Sequence, residues 1–150
     1  APALLTSIFS NKMFTKIMAP DDLAHIESLE RALDCAADLA KHYGLPIAYV
    51  GVTSSGPTTQ AQNPEEFGKL LAAFVEGEVD KHGVVAEAHT SIAHDPTTEV
   101  DDALLRAIDE TGADLVVMAS HIPGAMDYIW PSNGGKVAGH ANCSVMVVRS

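Results

Sequence analysis

From Met13 onward, short apolar runs alternate with longer segments in which apolar residues recur every three or four positions. The short runs are rich in Val, Ile, Leu and Met, which is typical of strands buried on both faces, and the longer segments have the period of amphipathic helices. Strands and helices in alternation form a parallel sheet covered by helices on both faces. The sequence therefore predicts an α/β three-layer sandwich with a five-stranded parallel sheet, doubly wound and Rossmann-like. The runs are FTKIMAPD (14–21), IAYVGVT (47–53), VVAEAHTSIA (84–93), DLVVMAS (114–120) and SVMVVRS (144–150).

The predicted helices have recognisable ends. Gly44, Gly83 and Gly112 stand where a C-cap glycine belongs, and Asn63 followed by Pro64 combines an N-cap side chain with a proline at the first helical position. A fourth, Gly-rich helix is predicted over residues 132–140. The predicted buried stripes are Ile26, Leu29, Leu33, Ala36, Ala37, Ala40 and Tyr43 in the first helix, Phe67, Leu70, Leu71, Phe74, Val75 and Val79 in the second, and Val100, Leu104, Ala107 and Ile108 in the third.

The chain is acidic, with a formal net charge of -11 over 150 residues. Such a charge repels phosphate polymers and anionic membranes, so neither nucleic acid nor a membrane is expected as a partner, although a small anion can still bind to backbone N–H groups. No apolar run of the sequence reaches the ~18 residues that span a bilayer. Cys35 and Cys143 lie far apart and outside any CxxC spacing, which favours reduced thiols in a cytoplasmic protein.

Residues 1–12, APALLTSIFSNK, precede the first predicted strand and lack the basic region of a secretory signal. They are interpreted as a natural extension or a remnant of cloning. The folded domain is expected to comprise residues 13–150.

Ligands of doubly wound sheets bind beyond the carboxyl ends of the strands, where the strand order reverses. The segments that follow the predicted strands are 20–23, 52–55, 94–95 and 119–133. The last is far longer than the ~2–6 residues usual for such connections, and long ordered loops at this edge are often functional.

The loop 119–133 can be interpreted as a phosphate-binding segment. Ser132 and Asn133 precede a predicted helix, whose first N–H groups and positive dipole end favour an anion, and Gly134 and Gly135 allow close approach. The alternative is that Ser132 serves as an N-cap and the glycines only loosen the turn.

A metal site is a second interpretation, in which Asp21, Asp22 and His121 converge as carboxylate and imidazole ligands. The alternative is that His121 is a hydrogen-bonded loop residue. A catalytic site of the phospho-acceptor receiver type would need an Asp at the end of the second strand, and IAYVGVT has none. Cys143 follows Ala141-Asn142 just before a buried strand and is interpreted as a packed thiol.

Three motifs in the correct order resemble the universal stress protein (UspA-domain) family. MFTKIMAPDD is similar to the family's opening, where the first strand ends in Pro-Val-Asp, and Asp22 matches that Asp. TSIAHDPTTEVDDALLRAIDETGADLVVMAS resembles the stretch through Gly-Asp-Pro into the third helix and fourth strand. VAGHANCSVMVVRS resembles the ending H-A-x-C-P/S-V-x-V-V-R. The resemblance runs from Met13 to Arg149 and implies the adenine nucleotide alpha hydrolase-like variant of the Rossmann fold.

The loop ASHIPGAMDYIWPSN looks like the branch of the family that reads A-S-H-x-P-x4-Y-x2-G-S-N, in which nucleotide binding is known. Ala119 and Ile122 occupy the early glycine positions of the general G-x2-G-x9-G-[ST] loop. Pro131 stands in place of the later glycine and removes one N–H donor. Asp21 replaces the usual Val after Pro20.

The resemblance implies a site for ATP, ADP or AMP, with Mg²⁺ bound to the phosphates. Adenine would lie near Asp22 and Val52, ribose near Met118 to His121, and the phosphates near Ser132 and Asn133. The residues predicted to bind the nucleotide are Pro20, Asp21, Asp22, Val52, Met118, Ala119, Ser120, His121, Ser132, Asn133 and Gly134.

The leading functional hypothesis is a cytoplasmic stress-response protein that binds an adenine nucleotide. The alternatives are a dimeric interaction module that binds no nucleotide, and a slow phosphohydrolase for which no general base is identified. A homodimer is expected through strand 145–149, because an apolar strand without Lys or Pro at a sheet edge would pair with a second copy.

Overall fold

The computed structural model describes residues 13–94, 99–120 and 133–149, and of residues 133–136 it describes the backbone alone. Strands and helices alternate as the sequence predicts. In chain order the elements are β1 (Ile17–Asp21), a 3₁₀ turn (Leu23–His25), α1 (Ile26–Tyr43), β2 (Ile47–Thr53), α2 (Pro64–His82), β3 (Ala86–Ile92), α3 (Val100–Thr111), β4 (Leu115–Ala119), α4 (Asn133–His140) and β5 (Ser144–Val148).

The strands form one parallel sheet in the order β3-β2-β1-β4-β5. Right-handed crossovers place α1 and α2 on one face of this sheet and α3 and α4 on the other. The contacts agree, since Lys81 of α2 lies 3.7 Å from Glu30 and 3.8 Å from Asp34 of α1, and α3 packs against α4. The predicted three-layer α/β fold with a parallel sheet is confirmed.

The helices end where the sequence predicts. Gly44, Gly83 and Gly112 terminate α1, α2 and α3 with φ values of 67°, 67° and 73°, in the left-handed region that glycine adopts without strain. At the start of α2, the Asn63 side-chain oxygen accepts a hydrogen bond from the backbone N–H of Glu66 at 2.8 Å.

The predicted apolar stripes are buried or half-buried except at two positions, which are corrections to the sequence interpretation. Tyr43, at the end of α1, is 39% exposed, and Leu70 of α2 is 42% exposed. Because α2 lies over β2 and β3 at the end of the sheet, one flank of its stripe faces solvent. Glu78 lies near the middle of that stripe and is buried.

Asp114 holds the amino ends of β1 and β4 together. Its carboxylate accepts hydrogen bonds from the backbone N–H groups of Thr15 at 2.9 Å and Lys16 at 3.0 Å, and from the Thr15 hydroxyl at 3.1 Å. Partial burial acts to raise the pKa of Asp114, but these hydrogen bonds outweigh burial and hold the pKa below its ordinary value. The register of β1 against β4 is thereby fixed at this end.

Both cysteines are free thiols and half-buried. Burial raises the pKa of Cys35 and of Cys143, which disfavours the reactive thiolate form and agrees with packed thiols. Within the described ranges, no helix has both the length and the apolar character needed to cross a membrane.

Candidate functional site

The strand order reverses between β1 and β4. The chain proceeds from β1 to β2 and β3 on one side, and then crosses to β4 and β5 on the other. In doubly wound sheets a crevice forms at this point, beyond the carboxyl ends of the two central strands. The candidate site therefore lies between Asp21 at the end of β1 and Ala119 at the end of β4.

The ladder that joins these two strands is short. β1 pairs with β2 along its whole length, up to Asp21 opposite Gly51. In the described part of the chain, its pairing with β4 covers only Ile17 and Met18. β4 in turn pairs with β5 along its whole length. Beyond Met18 the described parts of β1 and β4 lie side by side without a backbone ladder, and we call this unpaired end the gap.

Pro20 accounts for this gap. The Ile17 N–H donates to the carbonyl of Pro46 at 3.0 Å on the β2 side, whereas the Lys16 carbonyl accepts from the N–H of Leu115 at 3.3 Å on the β4 side. Because backbone groups alternate in direction along a strand, the even-numbered residues of β1 face β4. Pro20 would have to donate to β4 with an N–H that it lacks, so the ladder ends before it.

Asp22 follows β1 directly and caps the 3₁₀ turn that leads into α1. Its Oδ1 accepts a hydrogen bond from the Ala24 N–H at 3.0 Å, and its Oδ2 lies 3.0 Å from Nδ1 of His25. The side chain is 15% exposed. Each oxygen has a second lone pair that can accept from a ligand. Asp22 is therefore held in a fixed orientation at the edge of the gap without being saturated.

Asp21 points to the face of the sheet covered by α1 and α2. Its Oδ1 lies 3.4 Å from the position of a Cβ on Gly51, its ladder partner. Asp21 is 3% exposed, and neither carboxylate oxygen has a hydrogen-bond partner among the described residues. Burial, with the charges of Asp22 and Glu78 as lesser causes, raises the pKa of Asp21 well above its usual value. Asp21 thus borders the gap through its backbone, with its carboxyl group behind the sheet.

Val52 faces the other side of the sheet. It lies opposite Ser91 on the β2–β3 ladder, and the Ser91 hydroxyl donates to the Ala103 carbonyl of α3 at 3.0 Å. Val52 is half-buried. Its side chain therefore provides apolar surface on the layer that contains α3 and α4, where the resemblance places the adenine ring.

The end of β4 forms the second wall of the gap. Met118 is fully buried and Ala119 is 5% exposed. Ser120 is half-buried, and its N–H donates to the carbonyl of Val148 at 3.0 Å, which ties it to β5. His121, the fourth residue predicted near the ribose, lies outside the described residues.

Helix α4 begins at the same edge. It runs antiparallel to the strands, so its first N–H groups lie at their carboxyl ends, and the fully buried Val137 anchors it. Asn133 and Gly134 form its first turn, in which only the backbone is described. Ser132 lies outside the described residues. The first N–H groups of α4 therefore lie at the carboxyl edge of the sheet, and the predicted phosphate contacts of Ser132 and Asn133 stay predictions.

The metal interpretation gains no support from the described residues, in which no group of three or more His, Cys, Asp or Glu side chains is arranged to hold a metal ion. Asp21 is buried behind the sheet, and Asp22 is bound to its own turn. The third predicted ligand, His121, lies outside the described ranges.

A family model described as "Universal stress protein family" matches residues 13–149. The match covers all of the elements described above. The chain belongs to the universal stress protein family.

Solved structures of other universal stress proteins have the same fold. A protein of this family from Burkholderia pseudomallei is 21% identical, with a TM-score of 0.66 over 93% of this chain and 99% of its own. The universal stress protein of Archaeoglobus fulgidus in complex with dAMP is 21% identical, with a TM-score of 0.63 over 90% and 98%. One from Arabidopsis thaliana with AMP bound is 20% identical, with a TM-score of 0.61 over 90% and 91%.

Some ionisable residues near the site of this universal stress protein escape prediction from its sequence. His25 is brought to the edge of the gap by its contact with Asp22. Glu78 and His82 lie behind the sheet, and the charge of Glu78 acts on Asp21. A signal for the latter two exists, because Leu71, Glu78 and His82 are spaced by seven and four residues and so recur on the buried side of α2.

Proposed function

We propose that this universal stress protein binds an adenine nucleotide in the gap between the carboxyl ends of β1 and β4. The observation that carries the proposal is the short β1–β4 ladder, which leaves the carboxyl ends of the two central strands without backbone pairing at the switch point. On one side the gap has the oriented carboxylate of Asp22, and on the other the N-terminus of α4. A carboxylate accepts hydrogen bonds from a base or sugar, and a helix N-terminus favours an anion.

In this proposal Asp22 accepts a hydrogen bond from the adenine amino group or from a ribose hydroxyl, and Val52 packs on the ring. The backbone of residues 118–121 borders the ribose. Residues 132–134 bind the phosphates with N–H and hydroxyl groups, with the positive end of the α4 dipole behind them.

Bound ligands of the relatives support an adenine nucleotide as the ligand class. The Archaeoglobus protein was solved with dAMP and the Arabidopsis protein with AMP. Both molecules combine an adenine base with one phosphate group. ATP and ADP carry more negative charge, which an acidic protein tolerates better when Mg²⁺ neutralises the phosphates. We therefore propose AMP as the ligand to test first, and ATP with Mg²⁺ as the second.

The test is calorimetric titration of the purified protein with AMP, and with ATP in the presence and absence of Mg²⁺. Ser132→Glu places a carboxylate where the phosphates are proposed to bind and should abolish binding. Ala72→Glu adds the same charge at an exposed position of α2 and should leave it intact. If neither nucleotide binds the unaltered protein, or if Ser132→Glu binds as well as the control, the proposed site is wrong.

We propose the cytoplasm as the compartment and a regulatory role in the stress response, in which nucleotide occupancy is sensed by partner proteins. The free thiols Cys35 and Cys143 support a reducing compartment. Cell fractionation, with and without stress, tests the compartment and the role.

A dimeric interaction module is the second candidate function. Strand β5 is an outer strand of the sheet, and Met146 and Val147 are 40% and 39% exposed on it. An exposed apolar edge strand is a template for pairing with a second copy of itself. Light scattering tests this, and a monomer at micromolar concentration would contradict it.

A further inference from the structure

Behind the gap, four largely buried ionisable side chains and the half-exposed Asp34 form a group between the sheet and helices α1 and α2. We call it the sub-sheet cluster, and its members are Asp21, Asp34, Tyr49, Glu78 and His82. Together they contain six side-chain atoms that are closed to solvent and have no hydrogen-bond partner in the described part of the chain, although the atoms of Asp34, Glu78 and His82 lie within ion-pair distance of one another. Buried polar atoms are hydrogen-bonded in the large majority of cases, so this cluster calls for a physical explanation.

The members of the sub-sheet cluster are close enough to influence one another. His82 Nε2 lies 3.4 Å from Asp34 Oδ1 and 3.3 Å from Glu78 Oε2. These are ion-pair distances between α1 and α2 and within α2. Burial first, and then the charges of Glu78, Asp21 and Asp34, raise the pKa of Tyr49. The charge of Glu78 therefore acts on both Tyr49 and Asp21.

The charges that act on Asp21 are those of Asp22, next to it in the chain, and of Glu78 on α2. The other charged groups of this layer are Glu30 and Asp34 on α1 and Lys81 and His82 on α2. Lys81 is half exposed and pairs with the carboxylates of α1. A buried carboxyl group without donors and with two acidic neighbours is unfavourable as an anion, and so it retains its proton.

Asp21 also borders the proposed nucleotide site. Its backbone lies between Pro20, which opens the gap, and Asp22, which contacts the ligand in the proposed function. An ionised carboxyl group directly behind the gap would repel a phosphate through the low-dielectric sheet, whereas a neutral one would not. The protonation state of Asp21 and the occupancy of the gap therefore influence each other.

We propose that Asp21 couples nucleotide binding to proton uptake, so that an anionic nucleotide binds best to the protein with neutral Asp21 and is released more readily as pH rises. This proposal rests on the proposed nucleotide site. The step forms one O–H bond on the Asp21 carboxylate with a proton taken from solvent or buffer, and nothing is oxidised or reduced. Because one proton is involved, Kd changes by at most about tenfold per pH unit.

The experiment measures the Kd of AMP by calorimetry from pH 5.5 to 9.0 for the unaltered protein and for Asp21→Asn, which stays neutral throughout. The titration of AMP itself cancels in the ratio of the two Kd values. We expect the Kd of the unaltered protein to equal that of Asp21→Asn at low pH. At high pH it should be about three- to thirtyfold larger, which is the size of a single charge repulsion at this distance. Asp80→Asn removes one charge from an exposed position of α2 and serves as the control. The Kd of the unaltered protein divided by that of Asp80→Asn should not change with pH.

Two further measurements separate a proton-linked role from a structural one. Glu78→Gln removes a charge that raises the pKa of Asp21, so the rise of Kd with pH should begin at lower pH. Titrations in two buffers of different ionisation enthalpy count the protons taken up on binding. We expect greater uptake in the unaltered protein than in Asp21→Asn at the same pH, and the difference counts the protons taken up by Asp21.

A ratio of Kd values that does not change with pH would overturn the coupling while leaving the nucleotide site intact, as would equal proton uptake in both proteins. Absence of AMP binding to the unaltered protein at every pH would overturn the nucleotide site and the coupling with it. If Asp21→Asn does not fold, as judged by circular dichroism, the shift in Glu78→Gln decides, and no shift there refutes the coupling.

Discussion

Asp21 lies opposite Gly51 on the β1–β2 ladder, and a Cβ on Gly51 would lie 3.4 Å from Asp21 Oδ1. The same Cβ would lie 2.9 Å from two atoms of the Phe67 ring. The space that a side chain would take at Gly51 is therefore filled from β1 on one side and from α2 on the other. A side chain at Gly51 would therefore displace the Phe67 ring, whereas its contact with Asp21 would be an ordinary one.

Gly51→Ala should destabilise the protein, because the added methyl group meets the Phe67 ring in a packed layer. Overpacking of this kind costs about 1–3 kcal/mol in the free energy of unfolding, measured by urea denaturation. The matched control is Gly77→Ala in α2, where an added Cβ meets nothing within 4 Å. It should stabilise by roughly 0.5–1 kcal/mol, because alanine is the better helix former. Equal stabilities for the two variants would refute the packing described for Gly51.

Asp21→Asn should change how stability depends on pH. The folded-state pKa of Asp21 is raised above its unfolded value, so its contribution is fully present below the unfolded pKa of about 3.9 and is lost as pH rises through the folded pKa. The neutral variant does not undergo this loss. Its free energy of unfolding, relative to the unaltered protein, should therefore increase from pH 4 upward and then level off. A difference that is constant from pH 4 to 9 would mean that Asp21 ionises freely.

Asp114→Asn should show the opposite dependence. The folded-state pKa of Asp114 is lowered, so its contribution is present above the unfolded pKa and is lost as pH falls through the folded pKa. At pH 7 we expect a loss of about 1–2 kcal/mol, since hydrogen bonds to a charged acceptor are weakened at a partly exposed site. The loss should shrink toward pH 3 in urea denaturation at several pH values. Asp80→Asn, at an exposed position, should have no such pH dependence.

Val147→Pro should convert the proposed dimer to a monomer without disturbing the sheet. The carbonyl of Val148 accepts from Ser120 of β4, so the backbone groups of Val147 point outward by the alternation of the strand. Proline at this position removes an outward donor and leaves the β4–β5 ladder intact. Light scattering should show half the mass, while Val147→Thr, which keeps the N–H, should remain dimeric. If both variants have the mass of the unaltered protein, β5 is not the interface.

The succession of elements could be predicted because each one has its own local signal. The periods of apolar residues and the terminal glycines, such as Gly44 and Gly83, depend on neighbouring residues only, and the structure confirms them. The strand order was not predicted, because it depends on long-range pairing; once it is known, the handedness of the crossovers assigns each helix to its face. Tyr43 and Leu70 were misassigned to the core because helical period identifies the apolar face of a helix, and not how much of that face the neighbouring layer covers.

The direction of the Asp21 side chain could not be predicted from such local signals in the sequence. A proline is expected to end a strand, which would leave the next residue free to turn toward the ligand. In the structure Pro20 ends only the ladder to β4, whereas the ladder to β2 continues as far as Asp21. The strand therefore remains extended for one more residue, and its alternation carries the Asp21 side chain to the buried face. The contacts of His82 with Asp34 are equally out of reach, since they depend on how two helices pack.

β1 and β4 are joined at one end only, which makes the connection between the two halves of the sheet uneven along its length. Asp114 joins β1 and β4 at their amino ends, and Pro20 ends the ladder between them. In the described part of the chain, the ladder that joins the two halves of the sheet is therefore two residue pairs long. Helix α1 packs against β1, β4 and β5 and so bridges both halves. Bending of the sheet would therefore concentrate at this short ladder. A ligand bound between the carboxyl ends of β1 and β4 would contact both halves of the sheet. It would then transmit force between Asp22 on one half and the outer strand β5 on the other.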